Sequence, residues 1–239
     1  MQTFSGRAFY PLDPCERDVC IEDIAHALAC QNRFAGHTTL PYSVAEHSVR
    51  CARYVERRFR ALYPHASLEH ERRAILAALL HDATEAYLVD LPRPVKRFMP
   101  DYKIAEDRLA GVIELWAGLP KGALGWDLVK SADEAILATE ARDLLSAPPR
   151  AWNLRAAPLD ETIRPWSWER AKEEFLRVFS ARCATLDVAI PSHYHHCPEC
   201  YQKAPCRMSC TILDEEDGVS LGGACVCGDC GAASEGGAA

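Results

Sequence analysis

The stretch AALLHDATEAYLVDLPRPVK, residues 77–96, decides how this chain is read. It continues an apolar run in which Ile75, Leu76, Leu79 and Leu80 recur at helical spacing, and it delivers His81 and Asp82 at the end of a buried helix. Polar side chains in such surroundings are costly unless they are paired or ligated. Glu85 follows His81 by four residues and Asp82 by three, so continued helical geometry brings it close to both. Pro92 and Pro94 then stop the helical pattern, because proline lacks the N–H that a helix interior uses.

Working outward, Ser43-Val44-Ala45-Glu46 matches a capping box, in which serine and glutamate satisfy each other's backbone donors. It predicts a helix to about Leu62 that carries His47 near its start. Ser67 caps the helix that leads into His81. Ile21, Ile24, Ala25 and Leu28 predict a helix over 21–31, and further helices are expected near 101–118, 124–145 and 168–182, the last capped by Ser167. Asp133 falls in one of these, among Ala132, Ala135, Ile136 and Leu137. Residues 1–20 read as an irregular arm, and 152–165 as a long connection. No stretch alternates with period two over strand length. Residues 1–182 are therefore expected to be an all-α helical bundle.

Two imidazoles (His47, His81) and two carboxylates (Asp82, Asp133) make a four-ligand set for one divalent metal. Such ligands suit Mn, Co, Fe, Ni or Mg better than a thiolate site would, and they leave positions open for water and phosphate. A metal held that way can generate hydroxide near neutral pH and polarise a phosphoryl oxygen.

Composition bounds the rest. A chain of 239 residues can bury one substantial core or two unequal domains. Its net charge of −7 is uneven: residues 1–182 carry 25 Lys/Arg against 26 Asp/Glu, whereas residues 183–239 carry 2 against 8. That acidic end disfavours nucleic acid as a partner. The apolar run Ala74 to Leu80 is far too short to span a bilayer, and no basic n-region with an apolar stretch opens the chain, so a cytoplasmic protein without a membrane partner is expected.

The 12 cysteines are also polarised, with seven of them in residues 197–230. In a reducing compartment a dense cluster of this kind reads as metal binding. Cys197-Pro-Glu-Cys200 and Cys227-Gly-Asp-Cys230 are two knuckles separated by 26 residues, the pattern of a zinc ribbon with structural Zn held by four thiolates. The expected organisation is a bundle over 1–182, a linker over 183–192, a Cys-rich module over 193–231 and a tail over 232–239. Few apolar residues lie in the module, so its fold has to come largely from ligation. Its acidity favours a protein contact over DNA.

A His-Asp pair alone arises by chance in a chain of this composition. The ordered set SVAEHS (43–48), LLHDATEAYLVDLPRPVK (79–96) and KSADEAILATE (130–140) is far more specific. It resembles the HD-domain phosphohydrolases, in the branch containing 5′-deoxynucleotidases and deoxynucleoside triphosphate hydrolases of bacteria and phages. The resemblance runs from the first helix to about residue 180. It implies a helical bundle holding one metal with His47, His81, Asp82 and Asp133. Glu85 and Asp90 match the residues credited with acid/base and water-positioning roles. Arg33 matches an arginine that contacts the nucleotide, and Lys96 a basic residue near the phosphate. Phe34 stands where the family has a tryptophan that shapes the sugar pocket; Phe keeps the stacking surface and loses the indole donor. A homo-oligomer is implied as well. The expected substrate is a deoxynucleotide, mono- or triphosphate. Two alternatives stay open: a phosphodiesterase or signalling-nucleotide hydrolase on the same scaffold, and a non-catalytic nucleotide sensor whose ribbon contacts a partner.

Overall fold

The computed structural model describes residues 1–183, 194–196 and 203–205. The chain divides into two compact units, Met1–Val188 and Ala189–Ala239. In the first, the described residues are helical throughout their regular structure: α1 (Ile21–Cys30), α2 (Val44–Leu62), α3 (Leu68–Leu80), two single-turn helices α4 (Glu85–Leu88) and α5 (Arg93–Lys96), α6 (Pro100–Trp116), α7 (Asp127–Leu144) and α8 (Trp168–Cys183). In the second, strands β1 (Tyr194–His196) and β2 (Lys203–Pro205) pair antiparallel, with His195 opposite Ala204. The zinc-ribbon ligands Cys197, Cys200, Cys227 and Cys230 lie outside the described residues. Among the described residues, no helix is long and apolar enough to cross a membrane.

Helix α2 is the hub, packing against α3, α7 and α8. Its apolar face contributes Val49, Ala52 and Val55, all without exposure, to a core shared with Ile24 and Leu28 of α1, Leu79 and Leu80 of α3, Ile136 of α7 and Phe175 of α8. Each large aliphatic side chain buried there contributes roughly 1.5–3 kcal/mol. The second half of α3, Ala74 to Leu80, is buried on every side, which is why its sequence shows a solid apolar run rather than a stripe.

The caps follow the local sequence. Ser67 Oγ accepts from the His70 N–H, and Ser43 Oγ accepts from the Glu46 N–H at 3.1 Å. Only this half of the capping box forms. The Glu46 carboxylate instead takes Arg50, one turn on, and the Trp166 N–H at 2.7 Å, so it ties α2 to the connection before α8.

One expectation changes. Helix α3 ends at Leu80, and residues 81–84 form a turn before α4 restarts at Glu85. His81 and Asp82 therefore leave the helical ladder. The irregular N-terminal arm braces this break. Phe9, fully buried, stacks on Tyr87 of α4 with ring centroids 3.8 Å apart, and the Tyr87 hydroxyl accepts from the Cys20 N–H.

Candidate metal centre

His47 lies in the first turn of α2, fully buried. Its Nδ1 sits 2.7 Å from Glu140 Oε1, and a carboxylate can only accept, so Nδ1 carries the hydrogen. His81 Nδ1 sits 2.8 Å from the Ala78 carbonyl, which fixes the same tautomer. Both Nε2 lone pairs are thus turned into the same space, 3.2 Å apart. Around His47 Nε2 also lie Asp133 Oδ1 at 3.4 Å, Cys51 Sγ at 3.5 Å and Asp82 Oδ2 at 3.6 Å, and His81 Nε2 is 3.3 Å from Asp82 Oδ2. Acceptors crowd this way favourably only around a shared cation or proton. Metal–ligand bonds of about 2.0–2.2 Å place neighbouring donors roughly 3.0–3.5 Å apart, which is the spacing seen.

The four residues expected to be ligands thus come together from α2, the turn after α3, and α7. Cys51 was not anticipated. It lies one turn after His47 on α2, and the ligand atoms of His47, Cys51 and His81 are all within 4.8 Å of one another. A His-Cys-His cluster able to hold a metal ion is therefore present. Its two imidazoles are common to the cluster and to the His/Asp set.

The remaining neighbours give the site its charge. Arg33 lies across the centre, its Nε and Nη2 donating to Glu140 Oε2 at 3.2 and 3.1 Å and its Nη1 to Asp82 Oδ2 at 3.4 Å. Burial opposes ionisation of Glu140, but Arg33 and His47 outweigh it and hold the carboxyl below its usual range. Burial likewise opposes Asp82, and His81, His47 and Arg33 hold it far below the carboxylate norm. Asp133 behaves the same way, against His47 and His81, and its other oxygen accepts from Arg93 at 2.9 Å. Burial and Arg33 work against a proton on His47, yet Cys51, Glu140 and Asp133 leave its affinity for positive charge well above the ordinary histidine value.

The second carboxylate pair is set differently. Glu85 is buried and its Oε2 has no hydrogen-bond partner among the described residues. Burial, then Asp82 and Asp90, push its pKa well above the usual carboxylate value. Burial raises Asp90 as well. Gln31 links the two: its Nε2 donates to the Glu85 carbonyl at 3.0 Å and its Oε1 accepts from the Asp90 N–H at 3.1 Å. Val89, between them, has φ +66°, an uncommon conformation for a β-branched residue.

The other expected residues are placed as follows. Phe34 and Ala35 take successive left-handed conformations, φ +56° and +50°, in a loop closed by the Arg33 N–H donating to the Tyr42 carbonyl. That geometry turns Arg33 inward, with its guanidinium 5.4 Å from the Phe34 ring centroid, and the Phe34 ring meets Trp152 at 6.2 Å. Lys96 pairs with Glu106 of α6 and rests over the Tyr102 ring, while its charge still reaches Glu85 and Asp90. Glu140, Gln31 and Arg93 were missed. Glu140 had one available signal, its place seven residues after Asp133 on the same helix face.

The geometry defines a class, a helical bundle with a buried cluster suited to a metal ion. No family model matches the chain. It is 42% identical over 144 residues to the uncharacterized protein YfdR of Escherichia coli, the match covering 60% of this chain and 71% of that protein. It is also 44% identical over 119 residues to an uncharacterized protein of Rhodobacter capsulatus, covering 48% of this chain and 57% of its relative. The chain belongs to the YfdR family.

Proposed function

We propose that the protein is a metal-dependent phosphohydrolase of deoxynucleotides, on the HD-domain pattern. The observation that carries this reading is the approach of His81 Nε2, Asp133 Oδ1 and Asp82 Oδ2 to within 3.2–3.6 Å of a His47 Nε2 whose other nitrogen is committed to Glu140. His47, His81, Asp82 and Asp133 would hold the ion, one of Mn, Co, Fe, Ni or Mg. Bound there, it supplies Lewis acidity and an activated water at neutral pH.

The chain's own groups do the rest. Arg33 keeps its charge despite burial, through Glu140 first and Asp82 next, and its guanidinium edge is placed to steady a phosphate oxygen beside the centre. Glu85 and Asp90 are the carboxyl groups free of the ligand set. Between them they orient the attacking water and protonate the 5′ oxygen as the phosphoester bond breaks. Lys96 adds positive potential on their side of the site.

The test is phosphate release from deoxynucleoside mono- and triphosphates, with protein stripped of metal and reloaded with Mn or Co. Release by the reloaded wild type is expected. His47→Ala and Asp133→Ala should each lose at least about a hundredfold in kcat/KM and retain no ion through dialysis. Absence of turnover on the whole panel with either ion, or full turnover by His47→Ala, overturns the reading. Tight binding without release points to the sensor alternative.

A further inference from the structure

A cavity of about 250 Å³ opens between the C-terminal half of α7 and the connection that follows it. Ala138, Ala141 and Leu145 form its helix wall, and Trp152 and Asn153 its other side. The volume falls below the ~300–1,000 Å³ of drug-sized pockets and suits a single heterocycle. Its lining is mostly apolar, and Ser146 and Asn153 are the polar residues in it.

Three observations point to the occupant. First, Trp152 shows half its surface to solvent and its ring meets Phe34, the neighbour of Arg33. The cavity is thereby joined to the arginine that spans the metal cluster. Second, Ala138 and Ala141 follow Asp133 by five and eight residues on α7, which is about 7–12 Å along a helix rising ~1.5 Å per residue. The cavity's helix wall therefore belongs to the same element as Asp133 and Glu140. Third, Asn153 has φ +51°, a conformation that asparagine tolerates best among residues other than glycine, and its amide carries both donors and an acceptor at the rim.

We propose that this cavity receives the nucleobase of the substrate, with Trp152 as the stacking surface and Asn153 reading the edge of the ring. The assignment rests on the phosphohydrolase reading for its substrate class. Small alanines on α7 leave room on the helix wall, and the indole face supplies attraction that any base can use. The Asn153 amide supplies discrimination, since donors and acceptors sit differently on each base edge.

Two measurements test it. In the first, free deoxyadenosine, deoxyguanosine, thymidine and deoxycytidine are titrated against intrinsic tryptophan fluorescence, without metal or phosphate ester. A saturable quench is expected in the wild type and should vanish in Trp152→Phe. In the second, KM and kcat are measured on the four deoxynucleoside monophosphates. Trp152→Ala should raise KM for every base roughly tenfold, and Asn153→Ala should compress the spread of kcat/KM across bases to within about twofold. Both side chains are exposed, so the variants should fold. A quench unchanged in Trp152→Phe, or a KM within twofold of wild type in Trp152→Ala, overturns the assignment. Equal kcat/KM for all four bases in the wild type overturns the role of Asn153. No turnover of any ester alongside a quench lost in Trp152→Phe would overturn the hydrolase reading and leave the base site standing.

Discussion

The two walls of the centre are built on opposite principles. On the α2–α7 wall, His47 and Glu140 are buried and, with the mostly covered Arg33 of the neighbouring loop, mutually satisfied, each carboxylate oxygen of Glu140 accepting at 2.7–3.2 Å. On the 81–96 wall, the chain leaves its helix, restarts twice in single turns, holds Val89 at positive φ, and leaves Glu85 Oε2 without a partner. The first wall fixes ligand geometry. The second leaves a buried carboxyl oxygen, on Glu85, without a partner among the described residues and therefore chemically available.

That contrast can be broken at Glu140. In Glu140→Ala, the His47 Nδ1 hydrogen loses its acceptor and the Arg33 charge keeps only Asp82. Removing one partner of a buried ion pair costs about 3–5 kcal/mol. A denaturant midpoint displaced by less than ~1 kcal/mol would show that the wall is not the rigid element described here. Gln31 sharpens the comparison from the other side. Gln31→Ala frees the Asp90 N–H, while the Glu85 carbonyl keeps the Val89 N–H, and about 1–2 kcal/mol of stability should be lost. Amide hydrogen exchange at Asp90 should rise at the same time; unchanged exchange would mean that Gln31 does not hold the segment. The smallest effect is expected at Val89. Val89→Gly relieves a left-handed β-branched residue, worth ~1 kcal/mol or somewhat more, but it loosens the unfolded chain in return. Thermal unfolding should move by only a few degrees, upward if strain dominates.

What the sequence disclosed follows the same division. Ser43 and Ser67 are local signals and cap the helices they precede. His47, His81, Asp82 and Asp133 stand out because each is polar within an apolar setting, and the fold does bring them together. Glu140 did not stand out, since a glutamate within a helix usually faces water and nothing local says that Arg33, 107 residues away, will reach it. Gln31 is a neutral amide at a helix end and carries no charge signal at all. Glu46 matched its capping box, yet Arg50 one turn on competed for the carboxylate and won. The helical pattern expected to continue past His81 toward Pro92 is interrupted by a turn at residues 81–84, where His81 Nδ1 bonds the Ala78 carbonyl three residues back, and apolar periodicity carries no signal for that break.

The place where α3 stops has a consequence for the order of events. The carboxyl end of that helix, with its partial negative charge, abuts Asp82 in the cluster. Arg33 and Arg93 offset only part of the surrounding negative field. Under the proposed function, an incoming anion would be repelled until positive charge has been installed, and loading would be sequential, inorganic cation before organic phosphate.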